Sequence, residues 1–225
     1  MIKKKKSVTG TILFALLLAV MAICTLLPFL WMLSSSFKGA ETIRTIPIRW
    51  IPEHPTLEGY RQVFQMQGFS FARASFNSLF LATVCTLVQV ASACMAAFVF
   101  AKIPFRGSGK VFGIYLATMM IPGTVTMVPN YIILRVLGLL DSFTGLILPS
   151  LANVFGVFLM RQSMMTLNDS YLESAMLDGA SLYRVFAVIV LPMVAPTLAT
   201  MTLLAFMGSW NSYLWPLIVL TSTDK

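Results

Sequence analysis

One short segment of the chain matches part of a phosphate-binding loop. In Gly107-Ser108-Gly109-Lys110 a lysine follows two glycines whose backbone amides could approach a nucleotide phosphate. A P-loop also requires a glycine five positions before Gly109, where Pro104 stands, and a serine or threonine directly after the lysine, where Val111 stands. We therefore expect a short basic loop here and no nucleotide-binding loop.

Side chains for acid–base, metal or redox chemistry are scarce. His54 is the single histidine and sits among prolines, which is typical of a surface segment. Cys24, Cys85 and Cys94 lie in apolar runs without metal-ligand spacing, so we expect them to be small buried hydrophobic residues. The sequence thus predicts no catalytic centre, no metal site and no cofactor in this chain.

Amide, hydroxyl and indole groups within or beside the apolar runs are the remaining candidates for a functional site. Such groups can hydrogen-bond one membrane helix to another, or they can line a path for a sugar, whose hydroxyls pair with amides. At any single position, helix packing is the simpler interpretation. As candidate residues of a translocation path the sequence offers Gln89, Asn130, Asn153, Trp210 and Asn211.

The elements that must position these groups are membrane helices. The 225 residues are 58% hydrophobic and 11% charged, whereas a soluble domain has about a quarter of its residues charged. Five runs free of Asp, Glu, Lys, Arg and His are long enough, or nearly so, to span a bilayer as helices. They cover residues 11–33, 77–100, 111–134, 143–160 and 185–209. We predict an all-α polytopic membrane protein, and the lack of intramembrane charge argues against ion-coupled transport and membrane enzymes.

The basic residues indicate the orientation of these spans. Residues 3–6 are four lysines in a predicted cytoplasmic tail, 1–10, and most other cations flank apolar runs. The net charge of +8 is therefore assigned to lipid head groups and not to nucleic acid. We expect 11–33 to be a retained first span, 34–76 to be an extracytoplasmic segment with a helix near 56–67, and the N-terminus to be cytoplasmic.

The predicted helical core covers residues 77–220, with spans two to five, and is followed by a tail, 221–225. Between spans four and five lies a cytoplasmic loop, 162–184, which we call the coupling loop. Ser170 and Glu173 fit a capping box at the start of a helix, whose Leu172, Ala175 and Met176 would share one face. Gly179 can end that helix in a left-handed conformation. Ser181 can cap a second helix, which Pro192 would disturb.

From local chemistry alone this loop is either a docking site for a soluble partner or an amphipathic connector on the membrane. Its spacing of Glu173-Ser174-Ala175, Gly179 and Ile189-x-Leu191-Pro192 resembles the EAA loop of permease subunits of bacterial ABC importers. Alanine is usual in that family where this chain has Ser174. Residues 120–129 and 206–217 resemble the third span and the segment after the fifth span of carbohydrate-uptake permeases, similar to the second maltose permease and the glycerol-3-phosphate permease.

The resemblance implies a type I importer permease fold in the bacterial cytoplasmic membrane, without catalysis by this chain. Expected partners are ATP-binding ATPase subunits, a second permease subunit, an extracytoplasmic solute-binding protein, a sugar and membrane lipid. The family usually has a sixth span, so we expect either a truncated product or an unusual insertion of residues 210–220. The alternative is a non-transporting membrane scaffold or sensor. The residues implied to contact the ATPase subunit are Glu173, Ala175, Asp178, Gly179, Ala180, Ile189, Leu191 and Pro192.

Overall fold

The computed structural model describes residues 8–66 and 70–222, and every regular element within those ranges is helical. The predictions made for the four lysines of the N-terminal tail and for residues 223–225 lie outside the described residues. The elements in chain order are α1 (Val8–Ser36), α2 (Glu58–Gln65), α3 (Phe71–Lys102), α4 (Ser108–Ala117), α5 (Gly123–Val136), α6 (Phe143–Ile147), α7 (Val154–Met165), α8 (Ser170–Leu177), α9 (Leu182–Arg184), α10 (Leu191–Met193), α11 (Ala195–Trp210) and α12 (Leu214–Val219).

The chain forms two compact units with a boundary between Arg73 and Ala74. In the first unit, α1 is a long apolar helix whose C-terminal end is packed by the segment that follows it. The Trp31 and Trp50 rings meet edge to face at 5.1 Å, and the Lys38 ammonium lies 4.0 Å from the centre of the Trp31 ring. Tyr60 on α2 donates a 2.9 Å hydrogen bond to Ser36. The segment therefore folds back on the end of α1, and α2 lies within the predicted 56–67 range.

Only α3 in the second unit is a single straight candidate span. Three further candidate spans are bent pairs of helices: α4 with α5 at 100°, α6 with α7 at 41°, and a stretch from Leu182 to Met193 with α11 at 85°. By length and composition, two helices of the described chain can cross a membrane, or up to five if each bent pair counts as one span. Three of the five predicted spans are therefore bent pairs of helices, whereas α1 and α3 are single helices.

Local backbone chemistry explains two of these bends. Ile121 is extended because the residue before a proline, here Pro122, is sterically pushed out of the helical region. Pro192 has no N–H to donate to a carbonyl one turn earlier. The six residues Val185–Val190 before it form a π-helix, and the sharp bend follows at Val194. The expectation that Pro192 disturbs this helix is confirmed, and the disturbance extends over both sides of the proline.

Two groups of buried side chains hold the second unit together. The larger, which we call the methionine cluster, joins α3, α4, α7, α8, the π-helix and α11, and Met160 and Met164 at its centre are fully buried. The smaller, which we call the C-terminal cluster, consists of Leu134, Leu146 and Val219 with their half-buried neighbours. Val219 belongs to α12, so residues 210–220 end in a short helix that packs on the unit.

The three cysteines are free, and their burial differs. Cys85 and Cys94 are buried on α3, as expected. Cys24 is exposed, which corrects the expectation that all three would be buried. The reason is that α1 is apolar around its whole circumference and leaves its side chains on the surface of the chain.

Candidate coupling loop and polar cavity

The helix that opens the coupling loop begins without the predicted capping box. Asp169 is the N-cap of α8, and its side chain makes no capping hydrogen bond. The Asn168 side-chain oxygen instead accepts a 3.1 Å hydrogen bond from the Ser170 N–H, an Asx turn that starts the helix one residue early. Ser170 is therefore the first helical residue, and Glu173 is exposed with its side chain free to meet a partner.

The end of α8 agrees with the sequence prediction. Gly179 has φ +82°, a left-handed conformation that residues with a side chain rarely adopt. The Gly179 N–H donates to the Met176 carbonyl and the Ala180 N–H donates to the Ala175 carbonyl, both at 3.0 Å. These two bonds form a Schellman motif, which ends the helix and reverses the chain. Ser181 then caps α9 by accepting a 3.4 Å hydrogen bond from the Arg184 N–H.

The residues of the coupling loop and of the helix that follows it differ in how deeply they are buried. Leu172 is buried in the methionine cluster, and Ala175 and Ala180 pack against it, so they anchor the loop. Met176 was expected on this same face but is exposed, because α8 is only eight residues long and little surrounds its last turn. Ile189 and Leu191 are half-buried residues of the bent fifth candidate span, with Pro192 exposed beside them.

The outer surface of the loop carries apolar side chains that the sequence prediction did not include. Leu177 is 89% exposed and Tyr183 is 78% exposed, on either side of the Gly179 turn. We call this surface the loop tip; it consists of Tyr171, Glu173, Leu177, Asp178, Gly179, Leu182 and Tyr183. Exposed apolar side chains grouped in this way are typical of a protein-binding surface. The signal available in the sequence was the pair of large apolar residues flanking a glycine turn.

Two cations fasten the root of the loop, and their partners were not predicted from the sequence. The Lys102 side chain at the end of α3 is 3% exposed. Its ammonium donates to the Leu167 carbonyl at 2.7 Å and forms an ion pair with Asp169. Arg161 on α7 donates to the Phe100 carbonyl at 3.2 Å, and its guanidinium lies 4.1 Å from the centre of the Phe112 ring. The residues that lead into α8 are thus tied to α3.

A polar cavity of about 640 Å³ lies elsewhere in the second unit. Gln89, Asn130, Asn153 and Trp210, four of the five predicted path residues, line it. Asn211 does not; its amide donates to the Met207 carbonyl at 2.8 Å and caps the end of α11. The sequence prediction also lacked further lining residues, among them Asn77, Ser209, Ser212 and Trp215.

A chain of hydrogen bonds crosses three helices at this cavity. The Gly156 N–H donates to the Asn153 side-chain oxygen at 2.7 Å, which caps α7. The Asn153 amide donates to the Gln89 oxygen at 2.8 Å, and the Gln89 amide donates to the Ser209 hydroxyl at 3.2 Å. Gln89 is on α3 and Ser209 on α11, so the network joins α3, α7 and α11. Within 8–66 and 70–222, no three His, Cys, Asp or Glu side chains come together as metal ligands would.

Residues 90–224 match the family described as the inner membrane component of binding-protein-dependent transport systems. The chain belongs to this family. The matched range includes the whole coupling loop and most of the residues that line the polar cavity. The family and the apolar helices make the chain a multi-pass membrane protein, as the sequence predicted.

Individual relatives agree with this assignment. The chain is 30% identical over 224 residues to the arabinooligosaccharides transport system permease protein of Halalkalibacterium halodurans, with 99% of this chain and 80% of the relative covered. It is 32% identical over 188 residues to the sn-glycerol-3-phosphate transport system permease protein of Escherichia coli K12, with 82% of this chain and 67% of the relative covered.

A solved structure gives the same result for the fold. It is the crystal structure of a bacterial ABC transporter involved in the import of the acidic polysaccharide alginate. The TM-score is 0.80 at 26% sequence identity, covering 100% of this permease and 79% of that chain. The resemblance to ABC importer permeases and the expected all-α type I permease fold are confirmed.

Proposed function

We propose that this chain is a permease subunit of an importer that moves a sugar or sugar derivative across the bacterial cytoplasmic membrane, driven by ATP hydrolysis in separate subunits. The observation that carries the proposal is the coupling loop, an exposed helix–glycine–helix tip whose inner face is anchored in the methionine cluster. Relatives named for the transport of arabinooligosaccharides, glycerol 3-phosphate and alginate support a carbohydrate or its derivative as the solute.

In the proposed mechanism the loop tip docks on an ATPase subunit by its exposed apolar side chains. Closure of the ATPase subunits on ATP moves α8, and Leu172 and Ala175 transmit the movement because they are packed in the methionine cluster. Lys102 holds the residues before α8 on α3, so α8 and α3 move together. Such coupling requires the loop contacts to differ in free energy between the inward-open and outward-open states.

The family to which the chain belongs supports the rest of the proposed assembly. A second permease subunit completes the translocation pathway, and a solute-binding protein delivers the sugar on the extracytoplasmic side. The N-terminus and the coupling loop lie in the cytoplasm, where the ATPase subunits are. This chain itself performs transport and no covalent chemistry, and ATP is bound by its partners.

The test is a set of substitutions at the glycine turn in the complete importer, reconstituted in proteoliposomes. Gly179→Val places a β-branched side chain at φ +82° and is expected to abolish most ATP-driven uptake while the subunit remains in the membrane. Gly179→Asn is expected to retain uptake, because asparagine tolerates the left-handed conformation. Gly109→Val is the matched control, since Gly109 has an ordinary φ and open space for a Cβ.

Three measurements distinguish the possible results: membrane insertion, co-purification of the ATPase subunits, and uptake per ATP hydrolysed. Loss of ATPase binding or of coupled uptake in Gly179→Val alone supports the docking role. Normal uptake in Gly179→Val would contradict it. A loop that retains a soluble partner in a chain that moves no solute under any condition would instead indicate a membrane scaffold or sensor.

A further inference from the structure

The polar cavity is formed by uncharged residues. None of the described residues that line it is Asp, Glu, Lys, Arg or His. Its polar groups are amides and hydroxyls, and the rest of its wall is apolar, with two indoles from Trp210 and Trp215. A volume of about 640 Å³ lies within the usual range for small-molecule sites. The lining therefore offers hydrogen bonds and apolar contact without any ion-pair partner.

Several of these polar groups have hydrogen-bonding capacity to spare. The chain from Gly156 through Asn153 and Gln89 ends at the Ser209 hydroxyl, which accepts from Gln89 and keeps its own proton for another acceptor. Asn77 and Asn130 also line the cavity, and their half-buried amides make no side-chain hydrogen bond within the described part of the chain. Sugar hydroxyls both donate and accept, so they match these groups.

An anionic solute would find no comparable partner. A phosphate or carboxylate that leaves water for this cavity loses hydration, and without a cation the amide and hydroxyl donors of the lining restore only part of it. One feature of the lining favours an anion. It is the N-terminus of α5 at Gly123, where no side chain caps the backbone N–H groups that follow Pro122. A helix N-terminus supplies about half an elementary charge, which falls short of an ion pair. At the N-terminus of α7 the Gly156 N–H already donates to the Asn153 side chain, so it is not available to an anion.

We infer that the polar cavity of this permease binds an uncharged carbohydrate and discriminates against sugar phosphates and uronic acids. The inference rests on the proposed function and specifies the charge class of its solute. Sequence similarity leaves that class open, because the relatives are named for a neutral oligosaccharide, a phosphate ester and an acidic polysaccharide. The cavity's amides, hydroxyls and indoles favour the neutral class, since none of the described residues that line it is charged.

The experiment separates the cavity from the solute-binding protein, which also selects its ligand. The complete membrane complex, without the binding protein, is placed in lipid nanodiscs and titrated with a neutral pentose or hexose trisaccharide and with a trisaccharide of a uronic acid. Binding is followed by tryptophan fluorescence, since Trp210 and Trp215 line the cavity. We expect at least tenfold tighter binding of the neutral trisaccharide.

Two substitutions of Asn130 test the cavity directly, and Gln62→Leu on α2 serves as the matched amide-to-leucine control. Asn130→Leu is expected to weaken binding of the neutral trisaccharide about tenfold, which corresponds to the loss of one or two hydrogen bonds to the ligand. Asn130→Lys is expected to shift the preference toward the uronic acid by tenfold or more. A ratio of affinities is unaffected by partial loss of folded protein.

Each result has a definite consequence. Tighter binding of the neutral sugar, reversed by Asn130→Lys, supports the inference. Equal or tighter binding of the uronic acid overturns it and leaves the proposed function intact. ATP-driven uptake that is insensitive to both Asn130 substitutions also overturns it, because the cavity is then not on the path. Absence of ATP-driven uptake of any sugar by the reconstituted importer overturns the proposed function itself.

Discussion

At the root of the coupling loop the structure buries a charged side chain, whereas at the polar cavity the buried polar groups are all neutral. Lys102, 3% exposed, is held by Asp169 and by the Leu167 carbonyl. Gln89 and Asn153 are held by each other, by Ser209 and by a backbone N–H. Charge-assisted hydrogen bonds are roughly twice as strong as neutral ones. Under the proposed function, the stronger fastening lies where force from an ATPase subunit would be transmitted, and the weaker one lies where a ligand would enter and leave.

Removal of the Asp169 carboxylate is expected to have the largest effect, because it breaks the ion pair at the root of the coupling loop. Asp169→Ala leaves the buried Lys102 ammonium with a carbonyl as its remaining partner. We expect a loss of about 2 kcal/mol in stability, below the value for a fully buried pair because Asp169 is itself 72% exposed. Thermal unfolding in nanodiscs and uptake per ATP hydrolysed are the measurements, and both are expected to fall.

The control for Asp169 is a double-mutant cycle with Lys102→Met. In the Lys102→Met background no buried charge is left without a partner, so Asp169→Ala is expected to cost less than 0.5 kcal/mol, a difference that the cycle isolates. Equal costs in both backgrounds would show that the ion pair does not fasten the loop.

Gly156 lies between the methionine cluster and the hydrogen-bond network of the polar cavity. A side chain at this position is expected to have the second largest effect on stability. A Cβ on Gly156 would lie 2.3 Å from the Met201 terminal methyl and 3.1 Å from the Asn153 amide carbon. Met201 belongs to the methionine cluster and also lines the polar cavity. We expect Gly156→Ala to cost about 1–2 kcal/mol through overpacking, measured by thermal unfolding.

A second substitution shows whether this contact is the cause. Shortening the methionine in Gly156→Ala/Met201→Leu is expected to recover part of the lost stability, because leucine lacks the terminal methyl that a Cβ at position 156 would meet and Met201 is buried. A matched Gly113→Ala change on α4, where a Cβ meets nothing within 4 Å, should be close to neutral. No recovery in the double variant would mean that the Asn153 cap, and not the methionine contact, limits this position.

The uncharged hydrogen-bond network at the polar cavity is tested by Gln89→Leu and Asn153→Leu. Each removes one partner of a half-buried pair of amides, and each is expected to cost about 1–2 kcal/mol. The two costs should not add, because the interaction energy of paired residues is counted in both single variants. Additive costs would indicate two independent side chains and would remove the support for a network across α3, α7 and α11.

How far the sequence predicts these two regions depends on how local their chemistry is. The Gly179 turn and the Ser181 cap were predictable because the residues that form them are five positions apart or fewer. The cavity network joins Gln89 to residues 64 and 120 positions away, which no local pattern specifies. The Lys102 anchor spans 65 and 67 positions and was missed for the same reason.

The bent spans fall between these two cases. A proline stands beside two of the three bends, at Pro122 and at Pro192 with Pro196, so the disturbance could be predicted but not the angle. The bend before α7 follows Pro149 by several residues and depends on Asn153, whose side chain caps the new helix. Apolar length predicts how many segments can reach across a membrane, and specific side chains decide where each one breaks.

The smallest expected effect is at Ser174, the one position where the coupling motif departs from its family's usual alanine. Its hydroxyl donates a 2.7 Å hydrogen bond to the Ser170 carbonyl within the same helix, on an exposed face. Back-bonding of this kind competes weakly with helix geometry, so Ser174→Ala is expected to change stability by less than about 0.5 kcal/mol and to leave coupled uptake unchanged. A large fall in uptake with unchanged thermal unfolding would show that this hydroxyl meets the ATPase subunit. The docking surface would then extend along α8 beyond the loop tip, and the division between an anchored inner face and an apolar outer tip would have to be redrawn.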